Sequence, residues 1–80
     1  MSRTAVELAQ DYTAMGHSVA LINDIVAGNQ DSDMEVADRQ DAVDRNVGHL
    51  ELMVAKDDWG SENMTAINAA ITSGNGYIAS

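Results

Sequence analysis

The sequence predicts an all-α protein: an antiparallel helical hairpin over about residues 5–27 and 33–57, then a short third helix over about 61–73 and a neutral tail. Three observations carry that expectation. The chain has no proline and abundant alanine, a composition that favours helices. Apolar positions recur at alternating steps of three and four in two long stretches, the seam of an amphipathic helix packed on one neighbour. The two seams also match each other in length and register.

The first seam is Ala5, Leu8, Tyr12, Met15, Val19, Ile22 and Val26. Thr4 with Glu7 has capping-box spacing, which starts the helix near residue 5. Gly28-Asn29 supplies a stop. The second seam is Val36, Gln40, Val43, Val47, Leu50 and Val54. Ser32 and Glu35 again stand at capping-box spacing, and Glu35–Arg39 and Asp41–Arg45 are i, i+4 pairs that add a few tenths of a kcal/mol each. Folded about residue 31, the seams pair as Val26/Val36, Ile22/Gln40, Val19/Val43, Met15/Val47, Tyr12/Leu50 and Leu8/Val54, every pair summing to 62. Gln40 is the one polar seam position; it either snorkels to the edge, or it fixes register or pairs across subunits. In the same register Gly48 faces Ala14, which predicts a close backbone approach. The third helix is expected from Ser61 as N-cap, with Met64, Ile67, Ala70 and Ile71 on one face. Gly74-Asn75-Gly76 is expected to end it, leaving Tyr77 to Ser80 as a tail.

The chain has 80 residues and no cysteine, so neither disulfides nor thiolate metal sites support a core of this size. Association is the remaining source of stability. Thirteen acids against four bases give a net charge of -9, which disfavours direct contact with nucleic acid or an anionic membrane. Residues 31–62 hold ten of the acids and three of the bases, whereas residues 63–80 have no charged side chain. No apolar run has the length of a signal peptide or membrane span, and the chain reads as cytosolic, at least where it is made.

No catalytic, metal or cofactor motif emerges. Asp31-Ser32-Asp33-Met34-Glu35 begins like a calcium loop, yet Val36 stands where glycine is required and Ala42 where a bidentate glutamate is. His17 and His49 have no cysteine partner and no histidine one turn away, so no metal is expected within one chain. Asp38, Asp41 and Asp44 read as a solvated acidic face; paired carboxylates for acid–base work need a cleft. An enzyme is therefore not expected. Residues 1–58 read as the hairpin and 59–80 as the docking element of the same single domain. Leu21, Ile25, Leu52 and Met53 fall outside the hairpin seam and need cover, from the third helix or from neighbouring subunits. Together with Trp59, Met64, Ile67, Ile71, Tyr77 and Ile78 they form the candidate interface.

Two families of short acidic helical proteins fit poorly. WXG-type secreted proteins place the tryptophan and glycine between their helices, whereas Trp59-Gly60 follows the second. Secretion-needle subunits have a proline-rich loop. The stretch His49-Leu50-Glu51-Leu52-Met53-Val54-Ala55-Lys56-Asp57-Asp58-Trp59, followed by Met64-Thr65-Ala66-Ile67-Asn68-Ala69-Ala70-Ile71, resembles tails of small structural proteins from marine tailed bacteriophages, cyanophages in particular. The resemblance spans residues 49–71 and carries no residue-level role. It implies a virion component present in many copies, in tail, neck or capsid, made in the host cytoplasm. With the seam, the leftover apolar stripe and the uncharged last 18 residues, it leads to the expectation of a homo-oligomer docked on other virion proteins. The rival expectation, drawn from charge alone, is a free acidic regulator that mimics nucleic acid on a basic protein surface.

Overall fold

The structure, a computed structural model, describes residues 3–28, 35–56, 58–60 and 62–79. The described residues form three helices, α1 (Ala5–Val26), α2 (Val36–Val54) and α3 (Thr65–Ala79), each packed against the other two. The expected all-α hairpin with a third helix is present. Thr4 caps α1 through a full capping box: its hydroxyl accepts from the Glu7 N–H at 3.1 Å, and the Glu7 carboxylate accepts from the Thr4 N–H at 2.9 Å. Gly28, at φ 79°, takes the chain out of α1, a left-handed conformation that glycine adopts without a Cβ penalty.

The body measures 41 × 21 × 18 Å, its long axis exceeding a 22-residue helix, about 33 Å at 1.5 Å per residue. Its core is built from Met15, Ile22 and Ile25 of α1, Ala42, Val43, Val47, Leu50 and Met53 of α2, and Ile67 and Ala70 of α3, with Trp59 from the α2–α3 connection. Leu8, Tyr12, Val19 and Val54 pack around this set, and Gln40 is half-buried. The seam pair nearest the first turn departs from expectation: Val26 and Val36 are exposed. They occupy the outermost turns of their helices, beyond Ile25 and Ala42.

Four further expectations are corrected. The second helix begins at Val36 and ends at Val54, shorter than 33–57; Glu35 is its N-cap, without a side-chain cap bond. Glu35 is therefore extended (φ -66°, ψ 152°), and it forms no ion pair with Arg39. The Asp41–Arg45 pair does form, at 3.1 Å on the surface. The Ser32 capping box and the Asp31–Met34 segment lie outside the described residues. Gly48 faces outward, with nothing within 4 Å of the position a Cβ would take, so it makes no close approach to Ala14. It follows the buried Val47 in sequence, about 100° round the helix.

The largest correction concerns the third helix. It starts at Thr65, and the Asn63 side chain accepts from the Thr65 N–H at 2.9 Å; Ser61, the expected N-cap, lies outside the described residues. It then runs through Gly74-Asn75-Gly76 to Ala79, so Tyr77 and Ile78 belong to a helix and not to a tail. Gly74 is buried, and a Cβ there would stand 2.4 Å from Val47 Cγ2, 3.2 Å from Val43 Cγ1 and 3.4 Å from Ile22 Cγ2. The glycine that reads as a stop is where α3 meets both other helices. Two helical glycines cost about 1 kcal/mol each relative to alanine. Close packing at Gly74, and of Tyr77 and Ile78 on the core, offsets that cost.

Candidate functional site: a clasp at one end of the bundle

Three distant parts of the chain converge where α1 begins and α2 ends, an arrangement that also requires these helices to run antiparallel. Arg3 precedes α1. Its Nε donates to Asp58 Oδ2 at 3.0 Å, its Nη2 donates to Asp58 Oδ1, and its backbone N–H adds a 3.2 Å bond to Oδ2. Nη1 reaches Asp11 Oδ2 at 2.7 Å. A planar guanidinium matched to a carboxylate by two parallel bonds is the strong form of ion pair. The guanidinium carbon also lies 4.3 Å from the centroid of the Trp59 ring, within cation–π range.

Trp59 is buried in turn. Its indole N–H donates to the Met53 carbonyl at 2.8 Å, and its ring meets Tyr12 at 6.2 Å and 58°, a tilted aromatic pair. The Tyr12 hydroxyl donates to the Asn63 carbonyl at 2.6 Å. Gly60, at φ 65°, makes the turn that follows Trp59. The N-terminal segment, α1 and the α2–α3 connection are thus tied by one cation, two aromatic rings and two carboxylates.

The electrostatics suit holding and not proton transfer. The Arg3 side chain, 14% exposed, faces an Asp58 side chain 17% exposed. The hydrogen bonds from Arg3 hold the Asp58 carboxyl far below the usual aspartate value of 3.8, and the guanidinium is pushed up by Asp58 first and also by Asp11. A general acid or base works best with a pKa near the operating pH. Asp58 is displaced the other way.

This pair makes stability pH-dependent with a definite sign. A carboxyl whose folded pKa is depressed stabilises the fold above its unfolded value and loses that contribution as pH falls. The loss begins below 3.8 for Asp58. Glu7, lowered from 4.5 by the Thr4 bonds, acts in the same direction, and Arg3 stays charged throughout. Urea midpoints at pH 6 and pH 3 are therefore expected to fall further for the wild type than for Asp58→Asn. Equal falls would assign the acid sensitivity to other carboxylates.

Elsewhere, Ser18 Oγ and His49 Nδ1 lie 3.0 Å apart across α1 and α2. Ser18 is buried, and among the described residues no carboxylate bonds to the other imidazole nitrogen, so the third member of a nucleophilic triad is missing. The pair satisfies a buried hydroxyl. His17 is exposed on α1, lining an open depression of about 360 Å³ with Ala9, Gln10, Thr13 and Ala14. Among the described residues no group of three or more His, Cys, Asp or Glu side chains is placed to hold a metal ion. Nor is any helix there long and apolar enough to cross a membrane.

The ten candidate interface residues divide clearly. Ile25, Met53, Trp59 and Ile67 are buried within the chain. Leu21, Met64, Ile71, Tyr77 and Ile78 are half-buried against that core. Leu52 alone is largely exposed, at 68%. Of the two sources of cover open for Ile25 and Met53, the chain itself provides it. The sequence reading had no role for Arg3, Asp11 or Asp58. Comparison with protein-family models, with curated proteins and with solved structures finds no match to this chain.

Proposed function

We propose that the chain is a non-enzymatic structural or assembly protein of a phage virion, a tail, neck or capsid component that self-associates and docks on a larger assembly. The observation that carries this reading is the charge distribution on the three-helix body. The helix α3 has no charged side chain, in a protein of net charge -9. Copies meeting through α3 avoid the like-charge repulsion that α2 would impose. Because the apolar side of α3 closes the core, the contact falls to its outer side, where Asn68, Ala69, Thr72, Ser73, Asn75 and Gly76 are exposed. Small side chains there permit close approach. The resemblance of residues 49–71 to phage structural proteins supplies the setting.

Light scattering on the purified chain should give a mass above that of the monomer, and the chain should be found in particles. Ser73→Glu should dissociate the multimer without loss of helicity, while Asp44→Asn on the exposed side of α2 leaves it intact. A stable monomer absent from particles overturns the reading.

One observation favours a second reading. Asp38, Asp41 and Asp44 are all exposed on α2, which suits a free acidic regulator bound to a basic protein surface. A partner interaction that is insensitive to salt and survives neutralisation of those three residues counts against it.

A further inference from the structure

We propose that Arg3 is the strap of a local latch, whose release loosens Asp58–Gly60 and uncovers the face of the Trp59 ring that Arg3 lies against, while the three-helix core stays folded. Trp59 is the one member of the core that the clasp holds; every other core side chain sits on a helix. The clasp comprises Arg3, Asp11, Tyr12, Asp58 and Trp59, whereas α3 is anchored on Val43, Val47 and Ile22 through Gly74 and buries Ile67 and Ala70. Helix α1 does not depend on Arg3 for its start, since the Thr4–Glu7 capping box is complete without it. The start of α3 keeps its own tether, the Tyr12 hydroxyl on the Asn63 carbonyl. Opening is thereby confined to Asp58–Gly60.

The two parts also differ in physics. Arg3 holds Asp58 and Asp11 by charge and covers Trp59 by cation–π attraction, interactions that salt screens. The core is held by apolar burial, which salt does not weaken in this way. A competing carboxylate can take the guanidinium from Asp58, and no such competitor exists for Ile67 or Ala70. An uncovered tryptophan is the kind of side chain that anchors interfaces. That last consequence rests on the assembly reading; the latch itself does not.

Trp59 is the only tryptophan, so acrylamide quenching of its fluorescence reports the latch directly. Arg3→Gln is expected to raise quenching several-fold with unchanged far-UV helicity. The wild type should move toward that variant in about 1 M salt, where the screening length is about 3 Å, and the variant should not respond. Hydrogen exchange of the wild type should show the Trp59 and Gly60 amides opening more readily than those of Leu50 and Ala70. Equal quenching of wild type and variant overturns the latch. So does exposure of Trp59 only together with loss of helicity, which would make Arg3 a staple of the whole fold. Both readouts use the isolated chain, so they fail independently of any test on particles.

Discussion

Gly74→Val should lower stability by about 2–3 kcal/mol, toward the upper end of the usual cost of overpacking a well-filled site, while Gly76→Ala should raise it by up to about 1 kcal/mol. Both glycines lie inside α3, two residues apart, and propensity alone would make both replacements favourable. Packing separates them. A Cβ at Gly76 meets nothing within 4 Å, whereas one at Gly74 stands 2.4 Å from Val47 Cγ2. Valine 47 cannot swing aside, because a β-branched side chain in a helix has one strongly preferred rotamer. Val43 and Ile22 close the other directions at 3.2 and 3.4 Å, so α3 itself must move outward. Urea midpoints at unchanged slope measure the difference. Removing the blocking methyl supplies an internal check: Gly74→Ala and Val47→Ala together should cost less than the two changes summed, since the residues share one contact. If Gly74→Val proves neutral, α3 does not lie as close to α2 as described.

The hairpin was legible because its signals are local and repeated. Met15, Ile22, Val43, Val47 and Leu50 fall on a three–four spacing, and each of them is buried. The Thr4–Glu7 box is a pattern of four adjacent residues and forms as expected. Gly74 misled because sequence shows a glycine's cost in a helix and not the neighbour that requires its missing side chain. Glycine-asparagine-glycine is a good stop by propensity, and tertiary contact overrode it. The clasp was hidden for another reason. Arg3 and Asp58 stand 55 residues apart, and neither lies on an apolar face whose period would bring it to notice. The one available signal was that Arg3 is the sole lysine or arginine before Arg39. An isolated cation in so acidic a chain has a choice of carboxylates, and only the folded bundle shows which ones it takes. The stripe of Leu21, Ile25, Leu52 and Met53 was ambiguous because helix positions next to a seam can face either a third helix or a neighbour; adjacent residues differ by about 100°. That angle leaves Leu52 exposed beside the buried Met53.

Trp59→Ala is expected to cost about 3–5 kcal/mol, the range for truncating a buried aromatic side chain to alanine. A chain of this length has a total stability of about 4–12 kcal/mol, so the variant stands near the limit of folding. Trp59→Phe tests the cause without that risk. Phenylalanine keeps most of the apolar surface and a ring for Tyr12 and Arg3, but it loses the indole N–H that donates to the Met53 carbonyl. That carbonyl retains the Lys56 N–H at 3.1 Å, so it is not left without a partner, and the phenylalanine variant should lose only about 1 kcal/mol beyond its smaller burial. A large gap between the two variants in urea unfolding locates the energy in the ring. Similar losses would locate it in the single hydrogen bond and make the packing against Tyr12 incidental. Trp59 occupies the connection between α2 and α3, where three separate segments meet, so burial of one ring orders all of them at once. That is why one residue outside every helix is expected to count for as much as any single buried side chain of the helices.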